Sequence, residues 1–387
     1  MTFAVRIAPD ARRKLALLGQ AAQYDLACAC GKNPPRVRSV EDRWLYPAAL
    51  PGGGTVTLLK ILQQGGCERN CAYCAQRCGG AGWGGETSFA PEDLARLFIE
   101  LRDAGRAEGL FLSSALRGGG AASMDRMLAT AEELRKRHRF RGYLHLKLIP
   151  GCRADQVERA MELATRVSVN LEAPTAEHLG RIAPMKRFDA EIMAPLRQVA
   201  RAAAEGRYRK GGMTTQFVVG AAGETDRELG LTAARLYREY RLARVYFSAF
   251  QPAPGTPLAD RPAAPLWREH RLYQLDFLLR KYKFGIEEIP FDAQGGLSKE
   301  ADPKSAWARA HPERFPIEVN TASPEELLRV PGIGPISARR IMERRRTARL
   351  RTLAALRGTG ALADSAAPFV LLDGRAPAQP RQLPLFV

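Results

Sequence analysis

The sequence predicts an α/β protein in which a partial (βα)6 barrel precedes a small all-α unit. Three observations support this prediction. Apolar segments alternate with amphipathic segments over residues 55–290, which indicates parallel strands connected by helices. Residues 316–357 contain two short helical segments around a glycine turn. Four cysteines lie within twelve residues directly after the first predicted strand, at the barrel edge that usually carries the chemistry.

The elements follow in order along the chain. Residues 1–54 are an N-terminal extension with one predicted helix at 10–23. The predicted strands are residues 55–64, 110–116, 142–151, 167–175, 213–225 and 244–252. The predicted helices of the barrel are residues 91–109, 123–138, 153–166, 189–206 and 226–241. We expect an irregular connector at 291–315 and a flexible tail at 358–387, which is rich in alanine, glycine and proline.

The composition excludes a disulfide scaffold and a membrane span. The chain has 387 residues and seven cysteines, too few and odd in number for a framework of paired bridges. It has no signal-peptide pattern and no apolar run long enough to cross a bilayer. We therefore expect a cytoplasmic protein with reduced thiols and no membrane partner. The net charge of +18 favours a polyanionic partner, nucleic acid first, unless it is only a solvated basic surface.

The cysteines Cys67, Cys71, Cys74 and Cys78 suggest a metal centre. The first three are spaced C-x3-C-x2-C and converge on one centre if their loop wraps around it. Structural zinc sites usually have four ligands in paired C-x2-C units, and Cys78 could supply the fourth. Three thiolates on an iron–sulfur centre leave one position open for a substrate or cofactor. We favour iron–sulfur and keep structural zinc as the alternative.

This CxxxCxxC spacing, with Tyr73 before the third cysteine and a βα array around it, resembles the radical S-adenosylmethionine (radical SAM) superfamily over residues 55–290. The resemblance implies a TIM-like radical SAM barrel with a [4Fe–4S] cluster on Cys67, Cys71 and Cys74. It also implies S-adenosylmethionine on the open iron and a 5′-deoxyadenosyl radical that abstracts a hydrogen atom from substrate. An electron donor such as flavodoxin or ferredoxin is implied as a partner, and Cys78 has no role in the resemblance.

Two further strand ends resemble the biotin synthase family. The stretch NLEAPT is similar to a segment that contacts the cofactor ribose there, which implies the same role for Asn170 and Glu172. Their alternative role is to cap a helix. The stretch VVGAAGET is similar to a turn that packs on the adenine. Its Gly220 and Gly223 would let the backbone approach the cofactor closely.

Other strand-end residues are candidates without a matching motif. Ser113 and Ser114 occupy the second strand end, where the superfamily often has a Gly-Gly-Glu motif for the cofactor amino group. That motif is absent here. Lys147, Lys186 and Arg187 are candidates for the cofactor carboxylate or a substrate phosphate, with surface cations as the alternative. We retain Lys186, Ser113, Ser114 and Tyr73 as cofactor candidates.

The unit at 316–357 has helices predicted at 324–329 and 335–346 around the sequence PGIGP. Two glycines around an apolar residue form a tight hairpin whose N–H groups suit a phosphate. The stretch resembles the helix-hairpin-helix motif of DNA-binding proteins, with a plain packing hairpin as the alternative. Eight arginines and one glutamate between residues 339 and 357 favour nucleic acid. The candidate contacts are Gly332, Gly334, Arg339, Arg340, Arg344 and Arg345.

The complete architecture resembles the bacterial family of DNA modification/repair radical SAM proteins with a C-terminal helix-hairpin-helix motif. The resemblance implies radical chemistry on nucleic acid, with duplex DNA as the first candidate. Radical modification of tRNA or rRNA is one alternative. A non-catalytic DNA-binding scaffold with structural zinc is the other.

The last residues contain the sequence QLPLF after a proline-bearing linker. It resembles the sliding-clamp-binding motif of bacterial replication and repair proteins, which implies a clamp as a further partner. Exposed apolar groups at a chain end otherwise dock on their own core. The candidate residues are Gln382, Leu383, Leu385 and Phe386.

Overall fold

The computed structural model describes residues 10–22, 44–49, 55–78, 87–208 and 211–377. Within these ranges, seven strands form one sheet and pair in their order along the chain. They are β1 (Leu45–Ala49), β2 (Thr55–Leu62), β3 (Gly109–Ser113), β4 (Tyr143–Lys147), β5 (Arg166–Ser168), β6 (Met213–Val219) and β7 (Arg244–Ala249). β1 is antiparallel to β2, and every later strand is parallel to the one before it. The six parallel strands confirm the partial (βα)6 barrel, and β1 is an edge that the sequence analysis missed.

Helices lie before, between and after the strands. They are α1 (Ala11–Ala21), α2 (Pro91–Asp103), α3 (Gly119–Glu132), α4 (Ala154–Leu163), α5 (Ala176–Ile182), α6 (Ala194–Ala204), α7 (Asp226–Tyr240) and α8 (Leu266–Lys281). The Asp10 side chain caps α1 by accepting a hydrogen bond from the Arg13 N–H at 2.7 Å. One-turn π-helical segments at Glu133–Arg137 and Phe188–Met193 adjoin α3 and α6, so each predicted helix there consists of two pieces.

Side chains along each strand point alternately to the two faces of the sheet, so core residues lie on one face and site residues on the other. Leu112 of β3 and Leu146 of β4 are fully buried, and so is Phe98 of α2. Side chains at adjacent strand positions point to opposite faces. Ser113 and Lys147 therefore lie on the other face, where they line a cavity at the carboxyl ends of the strands. This is the edge that the βα arrangement predicts for the site.

The chain divides into two compact units. The first takes in the residues up to Glu224 and then Arg235–Glu269, and the second takes in Thr225–Ala234 and the residues from His270 onwards. The barrel range predicted from the sequence, 55–290, therefore includes segments of both units. No helix in the described part of the chain is long and apolar enough to cross a membrane.

The second unit contains the predicted hairpin. Its further elements are α9 (Pro303–Ala310), β8 (Ile317–Glu318), α10 (Pro324–Arg329), α11 (Pro335–Arg344), α12 (Leu353–Arg357), α13 (Ala363–Ala366) and β9 (Val370–Leu371). β8 and β9 pair in parallel, so the unit is not entirely helical. α9 lies within residues 291–315, the predicted irregular connector.

The prediction of a flexible tail at 358–387 is wrong for residues 358–377, which are folded. α13 and β9 complete the core of the second unit, in which Ala363, Ala366 and Val370 are buried beside Leu356. Small side chains pack between short helices without the large apolar residues that mark a core in the sequence. The four candidates Gln382, Leu383, Leu385 and Phe386 lie outside the described residues.

Candidate active site and nucleic-acid interface

The loop after β2 wraps back on itself. The Cys67 N–H donates to the Gln76 carbonyl at 2.7 Å, and the Gly66 N–H donates to the Gln76 side chain at 3.0 Å. Within the loop, the Cys74 N–H donates to the Cys71 carbonyl at 3.2 Å. Gly66 has φ +70°, a left-handed conformation that glycine adopts without strain. These bonds bring Cys67, Cys71 and Cys74 to the same cavity.

Neighbouring segments hold this loop in place. The Glu68 carboxylate accepts hydrogen bonds from the N–H groups of Gly118 and Gly119, both at 3.1 Å. On another side, the Ala72 N–H donates to the Ile182 carbonyl at 2.7 Å. The cysteine loop is thus fixed to the segment after β3 and to the end of α5.

The cavity has a volume of about 360 Å³, within the range of small-molecule sites. It lies in the first unit. Besides the three cysteines, it is lined by six of the predicted cofactor residues, namely Tyr73, Ser113, Ser114, Asn170, Glu172 and Lys186. Residues that are distant in sequence therefore meet at one site.

The environment of the sulfur atoms fits a metal cluster. The Cys67 Sγ accepts hydrogen bonds from the N–H groups of Arg69 at 3.4 Å and Leu116 at 3.5 Å. Burial raises the pKa of the Cys74 thiol to about 12 and also raises the pKa of Cys71. A buried thiolate needs a neighbouring cation, and iron ions supply that charge. Backbone N–H groups directed at a cluster sulfur also tune its reduction potential.

The same residues fit a single zinc ion less well. No group of three or more histidine, cysteine, aspartate or glutamate side chains in the described ranges is arranged to hold one metal ion. Structural zinc needs four converging ligands, whereas the cysteines of a [4Fe–4S] cluster each bind a different iron. Cys78 is exposed and does not line the cavity.

Lys186, Glu172 and Tyr73 form a buried polar group at the cavity wall. The Lys186 Nζ donates to the Glu172 Oε1 at 3.1 Å and to the Tyr73 Oη at 3.3 Å. Burial lowers the pKa of Lys186, but the negative charges of Cys71 and Glu172 outweigh burial and raise it above its usual value. Burial, and then Glu172, raise the pKa of Tyr73. The charge of Glu172 thus favours the ammonium form of Lys186, and burial favours the neutral phenol of Tyr73.

Glu172 has an unusual backbone conformation. Its φ is +67°, which is uncommon for a residue with a side chain. The neighbouring strand holds it there, since its N–H donates to the Gln216 carbonyl at 2.9 Å and its carbonyl accepts from the Val218 N–H at 2.8 Å. Strain retained in this way is common at functional sites. The turn directs the Glu172 side chain to Lys186.

Gly220 and Gly223 do not line the cavity. With φ of +88° and +79°, they form a turn around the Glu224 carboxylate, which accepts hydrogen bonds from the N–H groups of Gly220 and Ala222. A Cβ on Gly220 would lie 2.8 Å from the Ala264 Cβ. Gly220 therefore serves close packing of the chain itself, and Gly223 serves the left-handed turn. The contact of both glycines with adenine stays a prediction.

Several lining residues were missed by the sequence analysis. Gln216 of β6, Ser248 of β7 and Gln251 face the cavity. Ser248 is recognisable in the sequence as a polar residue near the end of β7, whereas Gln216 lies in the middle of β6 and Gln251 lies after β7. Arg69 also lines the cavity and forms an ion pair with the buried Glu191 at 2.7 Å.

The helix-hairpin-helix candidates lie at the junction of α10 and α11. Gly332 has φ +79°, and a Cβ there would lie 2.4 Å from the Leu362 carbonyl oxygen. Gly334 precedes the first residue of α11, and its Cβ would lie 3.2 Å from the Tyr282 hydroxyl. Both glycines make room for the protein's own chain, so replacing them perturbs the fold as well as any phosphate contact.

The candidate arginines of α11 and of the residue that ends it, Arg345, fall into two groups. Arg339, Arg340 and Arg344 are exposed. Arg345 is partly buried and donates to the carbonyls of Val319 at 3.1 Å and Ala322 at 2.6 Å. Arg345 therefore supports the fold, and the other three provide an accessible cationic helix face.

Comparison with known families agrees with this geometry. Residues 61–236 match the Radical SAM superfamily. These residues form a radical SAM domain. Residues 314–360 match the helix-hairpin-helix motif. No curated protein matches the chain.

Several solved structures are similar to part of this chain at low identity. HydG, a maturase of the [FeFe]-hydrogenase, has a TM-score of 0.46 and 11% identity, covering 57% of this chain and 49% of HydG. HydG from Carboxydothermus hydrogenoformans has a TM-score of 0.43 and 14% identity, covering 57% and 51%. The radical S-adenosylmethionine methyltransferase TsrM from Kitasatospora setae has a TM-score of 0.39 and 15% identity, covering 55% and 39%. The matched region spans about half or less of these proteins.

Radical SAM domains belong to enzymes that use a [4Fe–4S] cluster and S-adenosylmethionine, and these are the cofactors of this domain. When bound, such a cluster and S-adenosylmethionine would supply the radical chemistry. The protein contributes ligands, orientation and exclusion of water.

Proposed function

We infer that the chain is a radical SAM enzyme that repairs or modifies nucleic acid, with DNA as the favoured substrate. One observation supports the proposed catalysis: Cys67, Cys71 and Cys74 line the same cavity as six further residues that the sequence predicts for cofactor binding. In this proposal the three cysteines hold the cluster. Cys78 has no part in it.

The cavity residues provide complementary contacts for S-adenosylmethionine. The ammonium of Lys186 suits the cofactor carboxylate, because the positive charge persists at neutral pH. The hydroxyls of Ser113 and Ser114 lie at the strand end where the superfamily binds the amino group. Asn170 offers an amide that can donate and accept hydrogen bonds, as a ribose requires. Glu172 then positions Lys186 at 3.1 Å.

The nucleic-acid part rests on the second unit. A helix-hairpin-helix match coincides with the exposed Arg339, Arg340 and Arg344 of α11. Such cations bind phosphates in a salt-sensitive manner without reading the base sequence. The chain's net charge of +18 favours the same class of partner.

Product analysis tests this proposal. The anaerobically reconstituted, reduced enzyme is incubated with S-adenosylmethionine and, in parallel, with duplex DNA, single-stranded DNA, tRNA or rRNA. We expect a nucleoside of changed mass after digestion of the DNA, at a yield that depends on S-adenosylmethionine. A product from tRNA or rRNA alone would replace DNA by RNA as the substrate. Cofactor cleavage without a product from any nucleic acid would overturn the nucleic-acid proposal.

We further propose that a flavodoxin or ferredoxin donates the electron and that residues 382–386 tether the enzyme to the sliding clamp. The tether would raise the local concentration of the enzyme on replicating DNA.

A further inference from the structure

Lys304 is a buried cation beneath the hairpin of the second unit. It lies in the first turn of α9 and is 7% exposed, which is rare for lysine. Its Nζ donates to the Ile333 carbonyl at 2.5 Å and lies 4.6 Å from the centre of the Tyr282 ring. Within the described ranges, no carboxylate forms an ion pair with it. Lys304 and Tyr282 both lie outside residues 314–360, which match the motif.

The contact with Lys304 fixes the direction of a peptide group. Ile333 stands between the two glycines of the hairpin, and its carbonyl points to Lys304. In a planar trans peptide, the C=O and the following N–H point in opposite directions. The N–H of Gly334 therefore points away from the ammonium. No acceptor for this N–H is found among the residues that the structure describes.

The surroundings of Lys304 make its charge sensitive to pH. Burial lowers the pKa of Lys304 to about 7, with Asp302 opposing this shift and Arg329 adding to it. Tyr282 is the other titratable group in contact, and burial raises its pKa. Lys304 is thus charged below about pH 7 and largely neutral well above it.

We propose that Lys304 is a positioning residue of the hairpin, holding the Ile333 carbonyl inward so that the Gly334 N–H and a buried positive charge face a nucleic-acid phosphate. The inference rests on the proposed binding of nucleic acid by this unit. The hairpin's N–H would bind the phosphate oxygen, and the ammonium would attract it through the polarised peptide. Lys304 itself would not touch the nucleic acid.

The test uses the full-length protein and a fluorescent DNA duplex of about 20 base pairs, with Kd measured by anisotropy at several pH values. Lys304→Met removes both the hydrogen bond and the charge. Lys304→Arg keeps a charge that does not titrate in this range. Lys281→Met removes an exposed charge from the same unit and is the matched control. Thermal unfolding of each variant is measured in parallel.

We expect Lys304→Met to bind about tenfold more weakly than wild type near pH 6, the effect of one charge-assisted hydrogen bond. The difference should shrink towards pH 9, as wild-type Lys304 loses its proton. Lys304→Arg should bind with little pH dependence, and Lys281→Met should follow the wild-type profile.

Three results would overturn the inference. Equal affinity of wild type and Lys304→Met at every pH would remove Lys304 from binding. A loss that is constant with pH, accompanied by a lower melting temperature, would indicate a structural role only. Failure of the wild-type protein itself to bind any nucleic acid would refute the proposed function and this inference together.

Discussion

The Lys186 ammonium and the Glu172 carboxylate form a buried ion pair at 3.1 Å, with each side chain 8% exposed. Glu172 lies after β5, and Lys186 lies beyond α5, where it also reaches Tyr73 of the cysteine loop. The pair therefore joins three segments of the candidate site.

Lys186→Met should reduce the free energy of unfolding of the metal-free protein by about 3 kcal/mol, because Glu172 would stay buried without its cation. Urea denaturation measures the change. Lys186→Met combined with Glu172→Gln should recover most of the loss. Arg197→Met is the control, since Arg197 and Asp189 are 45% and 79% exposed and should contribute less than about 1 kcal/mol. If Lys186→Met and Arg197→Met lower the free energy of unfolding equally, the role assigned to the buried pair of Lys186 and Glu172 is wrong.

Cys67→Ala, Cys71→Ala and Cys74→Ala should each lose most cluster iron and all cleavage of S-adenosylmethionine, because each removes one iron ligand. Iron and sulfide analysis, visible absorbance and detection of 5′-deoxyadenosine measure these losses. Cys78→Ala should retain a brown, active protein, since Cys78 is exposed and outside the cavity. Loss of iron from Cys78→Ala to the same degree would show that the ligand assignment is wrong. A colourless, zinc-loaded wild type would support the scaffold alternative.

Arg339→Gln and Arg344→Gln should each weaken duplex binding and reduce the slope of log K against log salt by about 1. Arg345→Gln should instead lower stability, because its guanidinium holds the Val319 and Ala322 carbonyls. Salt titrations and thermal unfolding distinguish the two effects. An unchanged salt slope for the first two variants would exclude the exposed face of α11 as a phosphate contact.

Lys304 predicts a pH dependence of stability in the second unit. Its pKa falls from 10.5 to about 7 on folding, chiefly through burial. Between these values the unfolded chain binds the extra proton, so this group makes stability rise as pH rises from about 7 towards 10. Below pH 7 both states are protonated, and the full cost of burying the ammonium remains. Urea denaturation of wild type and Lys304→Met should show a stability difference that depends on pH in this window. A difference that is constant with pH would contradict the lowered pKa.

A peptide of residues 376–387 should bind the replication clamp with a Kd in the micromolar range, about −8 kcal/mol. Leu385→Ala combined with Phe386→Ala should abolish binding, because both apolar side chains would fill a pocket on the clamp. Isothermal titration measures both peptides. Absence of binding by the wild-type peptide would leave docking on the protein's own core as the explanation of the sequence.

The sequence predicted the parts of the fold that depend on local pattern. Strands β2, β3, β4, β6 and β7 lie within or at the predicted segments, because buried apolar runs bounded by polar turns identify them. β5 has three residues where nine were expected. β5 ends at Ser168, and the chain bridges to β6 again at Glu172, whose left-handed conformation is held by hydrogen bonds to β6 and has no local signal.

The residues of the candidate site were predicted where a motif or the end of a predicted strand marks them, and Lys186 was predicted from its charge. The cysteines and Asn170 carry such motifs, whereas Gln216 and Ser248 line the cavity because of the face their strands present. That face is set by strand register, a tertiary property. The burial of residues 358–377 is another tertiary property that the sequence pattern does not reveal. Their composition is typical of disorder, yet Ala363 and Ala366 are buried by neighbours that sequence spacing does not reveal.

The chain passes between its two units three times, after Glu224, Ala234 and Glu269. The sequence analysis ends the barrel at residue 290. A protein cut there would keep residues 225–234, which belong to the second unit, but would lose most of the rest of that unit. A simple N-terminal half and C-terminal half would therefore not correspond to the two units. We expect a shortened protein of this kind to be degraded on expression. The proposed catalysis and the proposed nucleic-acid binding would then be lost together in a protein that ends at residue 290.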